Sequence, residues 1–118
     1  MVRGLSLAGR FCETTGVGPD GADRLAIIVE EWLVNLVEHG ELAPGSRIAL
    51  RLAREPACVR VTVTDAGSFF DPRQVAFEGP NLERGGGVGL ELMRHFGRIV
   101  NYARRAGRNR LELEMPVG

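Results

Sequence analysis

The chain has 118 residues, 44% of them apolar and 25% charged, which fits one globular domain with one core over residues 1–118. Fifteen basic side chains offset fifteen acidic ones, so net charge gives no support to direct nucleic-acid or membrane-surface binding. No apolar run nears the roughly 18 residues that span a bilayer. The N-terminus is broken by Gly4, Ser6 and Gly9 and lacks a signal-peptide core, and Cys12 and Cys58 stand in no ligand or redox spacing, so a cytoplasmic protein with reduced thiols is expected.

In chain order, residues 4–15 predict a short helix with Leu5, Leu7, Ala8, Phe11 and Cys12 on its apolar side, ended by Gly16-Val17-Gly18-Pro19. Leu25, Ile28, Val29, Trp32, Leu33, Leu36 and Val37 recur every three or four residues, which predicts an amphipathic helix over 22–39 with Gly40 as its stop. Residues 47–52 and 59–64 alternate apolar and polar and predict an antiparallel hairpin turning at Glu55-Pro56. A glycine-rich stretch then leads into a helix over 88–96. Two last strands, about 98–104 and 109–115, join at Ala106-Gly107. The sum is an α+β two-layer sandwich with helices on one face of a mixed or antiparallel sheet.

Three constellations carry candidate chemistry. Glu31, Asn35 and His39 recur every four residues and share one face of the second helix. An amide oxygen suits a hard cation such as Mg²⁺, and a carboxylate one turn away suits a general base, although a solvated helix face has the same pattern. Asp65 stands at the end of a period-two strand and is followed by Ala66-Gly67. A carboxylate there can accept a hydrogen bond from an exocyclic amine, and Gly67 permits close approach to the backbone; an ordinary Asp-x-Gly turn reads the same way. The run Glu83-Arg84-Gly85-Gly86-Gly87-Val88-Gly89 opens a helix, where free N–H groups and the helix dipole favour phosphate. No βαβ unit surrounds it, so it is not a dinucleotide fingerprint.

Taken in order, the Glu31-x-x-x-Asn35-x-x-x-His39-Gly40 helix, the Asp65-x-Gly67-x-x-Phe70-Asp71-Pro72 segment and the Gly85-x-Gly87-x-Gly89 loop resemble the N, G1 and G2 boxes of the GHKL superfamily, which has the Bergerat ATP-binding fold. The resemblance covers residues 22–115 and is nearest to the anti-sigma-factor serine/threonine kinases. It implies ATP and Mg²⁺ as cofactors, with Glu31 as catalytic base and Asn35 as the Mg²⁺ ligand. It implies nucleotide binding by Asn35, Asp65, Gly67, Gly85, Gly87 and Gly89. Residues 73–84 would be a short ATP lid, with Arg84 adding charge near the phosphates.

A stand-alone domain of this kind is expected to phosphorylate a serine or threonine on a STAS-type anti-anti-sigma partner, in competition with a sigma factor, and to be a homodimer. The alternative is a non-catalytic ATP-binding module that sequesters either partner. The look-alikes usually open with a strand before the first helix, and here that strand is expected to be short or missing. Trp32 is expected in the core. Arg98, Arg104, Arg105, Arg108 and Arg110 read either as a surface for an acidic partner or RNA, or as charges that protect an edge strand.

Overall fold

The computed structural model describes residues 2–74 and 87–117. Two helices come first, α1 (Val2–Thr15) and α2 (Pro19–His39). Gly16, at φ 75°, ends α1 in the left-handed region, and the Val17 N–H returns to the Cys12 carbonyl at 3.1 Å. Pro19 occupies the first turn of α2, where its missing N–H is no loss, and Asp20 stands in that turn beside the positive end of the dipole. The seven apolar positions read from the sequence are buried at Leu25, Ile28, Val29, Trp32, Leu33 and Leu36, whereas Val37 is exposed.

The strands are β1 (Ala49–Arg54), β2 (Cys58–Asp65), β3 (Arg98–Arg105) and β4 (Arg108–Pro116). Helix α3 (Gly87–Phe96) precedes β3. Among the described residues they form one antiparallel sheet in the order β1-β2-β4-β3. Strand β1 starts and ends two residues later than the alternation of residues 47–52 predicts, because pairing begins at Ala49 opposite Thr64 and runs to Arg54 opposite Val59. The β3–β4 turn uses Ala106 and Gly107 at φ 53° and 76°, the doubly left-handed turn that matches the strand twist. Helix α1 is the first described element.

One face of the sheet carries the helices. Val59, Val61 and Val63 of β2 and Leu111, Leu113 and Met115 of β4 are all at most 2% exposed, and they join the buried side of α2 with Ala8 and Cys12 of α1 and Leu90 and Met93 of α3. Burial of each large side chain contributes about 1.5–3 kcal/mol. Trp32 is central to this core, as its sequence context predicts, and meets Tyr102 of β3 edge-on with ring centroids 6.2 Å apart. No described helix is long and apolar enough to cross a membrane.

Candidate nucleotide site

The face of α2 that carries Glu31 and Asn35 looks onto the start of α3. Glu31, Asn35, Glu38, His39, Gly89 and Leu90 line one open cleft between the two helices. Because residue 89 is glycine the Glu31 carboxyl can lie against α3: a Cβ there would overlap Glu31 Oε2. The Glu31 carboxyl is only partly accessible. Burial, and then the neighbouring Glu30 and Glu38 carboxylates, push it above the ordinary glutamate range. Three of the predicted residues, Glu31, Asn35 and Gly89, therefore meet in one place. Gly87 is the first residue of α3, while Gly85, Arg84 and most of the expected lid segment lie outside the described residues.

Asp65 and Gly67 form a second cluster beside the C-terminal end of the same helix. Asp65 is 1% exposed. Its Oδ1 accepts hydrogen bonds from the Gly67 N–H at 2.8 Å and from Asn109 Nδ2 at 3.1 Å. Among the described residues Oδ2 accepts none, which leaves that oxygen with acceptor capacity. Gly67 packs directly on the Gly40 carbonyl that ends α2, and a Cβ at residue 67 would meet that oxygen and come within 3.0 Å of Leu42 Cδ2. The Gly40 carbonyl also accepts from the Ser68 N–H at 2.8 Å. Gly40 itself has φ −78°, so it is not a left-handed cap, and a Cβ there would overlap the Leu36 carbonyl one turn back.

The chain matches the family described as the histidine kinase-like ATPase domain over residues 3–115. It belongs to that family. Membership carries ATP binding with it. The chain is 37% identical, over 97 residues, to the serine/threonine-protein kinase BtrW of Bordetella bronchiseptica; the match covers 75% of this chain and 66% of that protein. The chain thus spans just under two-thirds of that relative. Two solved structures share the fold, both from the blue-light activated histidine kinase of Erythrobacter litoralis EL346. The first superposes with a TM-score of 0.60 at 21% identity, over 86% of this chain and 32% of that one. The second, its histidine kinase domain, gives 0.58 at 21%, over 82% and 45%.

In this histidine kinase-like ATPase domain, several residues near Asp65 escape a reading of motifs alone. Asn109, fully buried on β4 and paired with Asp65 in register, donates through Nδ2 to Asp65 Oδ1, to the Gly67 carbonyl at 2.9 Å and to the Ser68 carbonyl at 3.1 Å. The missed signal is parity: Asn109 falls on the same alternation as Leu111, Leu113 and Met115. Arg104, grouped in the sequence with surface arginines, donates instead to the Gly67 carbonyl at 2.8 Å and to Asn109 Oδ1 at 3.0 Å.

Beyond the turn, buried Asp71 binds Arg73 through both its oxygens, and Arg73 Nη2 reaches the Tyr102 carbonyl at 3.1 Å. The Tyr102 hydroxyl accepts from the Phe70 N–H at 3.1 Å. These bonds fix the segment that leads out of the site.

Among the described residues the acidic and thiol side chains close enough to share an ion are Glu55, Cys58 and Glu114, at the end of β2 opposite Asp65. Arg60 stands among them, 2.6 Å from Glu114 and 3.6 Å from Glu55, so their charge is met within the protein.

Proposed function

We propose that this domain is an ATP- and Mg²⁺-dependent serine/threonine protein kinase of the anti-sigma-factor type, acting on a STAS-type partner. The observation that carries the reading is the convergence of Glu31, Asn35 and Gly89 on one cleft at the start of α3. The resemblance to a protein named as a serine/threonine kinase supports it.

On this reading Asp65 accepts the adenine amine at Oδ2 while Asn109 and the Gly67 N–H hold Oδ1. Gly67, packed on the Gly40 carbonyl, holds the turn that carries Asp65 against the end of α2. Gly85, Gly87 and Gly89 receive the phosphates with the N-terminal dipole of α3. A neutral amide oxygen beside a carboxylate is a donor set that fits Mg²⁺, and Asn35 would hold it. The metal supplies charge neutralisation on the phosphates when bound. The partner hydroxyl forms the new P–O bond as the bond to the ADP oxygen breaks, and Glu31 takes the hydroxyl proton. A carboxyl held above its ordinary range is a better base for that step.

The test is calorimetric titration with ADP and ATP, with and without Mg²⁺, followed by transfer of labelled phosphate to a purified STAS-domain protein. Asp65→Asn and Asn35→Ala are expected to abolish Mg²⁺-dependent binding, and Glu31→Ala to keep binding and abolish transfer. Binding without transfer in the unaltered protein would replace this reading with the non-catalytic regulator, and transfer at full rate by Glu31→Ala would remove the base assignment.

A further inference from the structure

The helix-free face of the sheet divides into two unlike halves. The register sets out its rows. Ala53, Arg60, Glu114 and Arg98 form one row across the four strands. Arg51, Thr62, Glu112 and Asn101 form the next, and Ala49, Thr64, Arg110 and Ala103 the third. Beyond them Arg105 and Arg108 sit opposite each other at the β3–β4 turn.

In the first half, every arginine is matched: Arg60 pairs with Glu55, Glu112 and Glu114, and Arg98 with Glu114 at 3.0 Å. In the second half Arg110 reaches Glu112 at 3.1 Å, but Arg51, Arg105 and Arg108 make no ion pair among the described residues. All four of these arginines border a shallow depression floored by Thr62 and Thr64. Like charges directly opposite on neighbouring strands cost stability, and here nothing in the described fold relieves the Arg105/Arg108 pair.

We propose that this half-face is a docking surface for a protein partner that presents a cluster of carboxylates. Charge complementarity is the argument: four guanidinium groups stand against the single carboxylate of Glu112, and the guanidinium fork matches a carboxylate with two parallel hydrogen bonds. Arg51 on β1 and Arg105 on β3 are three strand spacings apart, roughly 14 Å across the sheet. One small anion cannot touch both, so the ligand is a multiply acidic segment. A protein fits better than RNA. Among the described residues no aromatic ring borders the depression to stack on bases, and the chain as a whole has no net positive charge to draw in a polyanion. The surface lies on the face of the sheet opposite α2, and the inference is independent of the phosphotransfer reading.

The probe is a fluorescein-labelled oligoglutamate peptide, titrated at low salt and followed by anisotropy and by amide chemical shifts. Binding that weakens with salt, moves the Thr62 and Thr64 amides, and falls by roughly tenfold or more in Arg105→Glu/Arg108→Glu but not in Arg98→Glu is the expected result. An Arg105→Ala/Arg108→Ala variant gives the same reading if the charge reversal unfolds. The proposal is overturned by absent binding, or by equal binding in both variants. It is equally overturned if an RNA oligonucleotide of matched charge binds more tightly through these arginines, or if the unaltered protein forms a dimer that the reversal abolishes while the peptide is ignored.

Discussion

The Glu31 carboxylate rests against the Cα of Gly89, with no space between them for a methyl group. The group that would move on Gly89→Ala is the far end of a flexible side chain, and alanine is the better helix former by up to about 1 kcal/mol. The variant is therefore expected to melt at or above the temperature of the unaltered protein. Its displaced carboxylate should slow phosphate transfer by about tenfold or more. Thermal denaturation beside a labelled-phosphate transfer assay separates the two effects.

The raised ionisation of Glu31 has a definite sign. A carboxyl whose folded pKa exceeds its unfolded value, about 4.3 for glutamate, loses stability as pH rises from the unfolded value through the folded one. Glu31→Gln removes that penalty, so at neutral pH it should be as stable as the parent or more so while losing transfer. Glu30→Gln and Glu38→Gln remove the charges that add to burial in raising Glu31. Each should shift the acid limb of the transfer-rate profile to lower pH, and unchanged profiles would refute the electrostatic account.

Asn109 holds the Asp65–Gly67 turn through three acceptors. Asn109→Ala takes a donor from each: the Gly67 N–H still serves Asp65 and Arg104 the Gly67 carbonyl, but the Ser68 carbonyl keeps none among the described residues, at a cost of about 1–3 kcal/mol. Nucleotide affinity should fall with it, since Asp65 loses one of the two groups that orient it. Asn109→Asp sets a second carboxylate beside Asp65 and should be worse at pH 7 than at pH 5. Urea titrations at the two pH values test the order.

The Arg73 side-chain hydrogen bonds hold Asp71 below the ordinary aspartate range against the opposing effect of its burial. A carboxyl depressed in this way stabilises the fold above its unfolded pKa of about 3.9, and that stability is lost as pH falls through the folded value. The denaturation midpoint should drop below about pH 4, and Arg73→Ala should flatten the drop. An equal slope in the variant would assign the acid lability elsewhere.

Much of this molecule was legible in the chain because its signals are local. The spacing of Leu25, Ile28, Val29, Trp32, Leu33 and Leu36 defines the buried side of α2 without reference to any other segment. The same helix carries Glu31 and Asn35 toward α3, where Gly89 meets them. Asn109 and Arg104 were not legible as partners of Asp65 and Gly67, because Asn109 meets Asp65 through the pairing of β2 with β4 across 44 residues of sequence, and Arg104 joins them through the pairing of β3 with β4. The roles of Asn109 and Arg104 are non-local, and a polar residue between two arginines reads as exposed until the sheet is assembled. The start of β1 was misplaced for a related reason: an edge strand begins where its neighbour offers a partner, and residue alternation alone does not mark that point.

The peptide at Gly40 ties two distant stretches of chain into one gauge. The helix face with Glu31 and Asn35 and the turn with Asp65 and Gly67 are both anchored at that carbonyl, by the helix itself on one side and by Ser68 and the Gly67 Cα on the other. The span between the two clusters is thereby set like the gap of a caliper, and neither jaw slides without the other. Changes at Ser68 or Leu42, which belong to neither jaw, would reset the gap for both together.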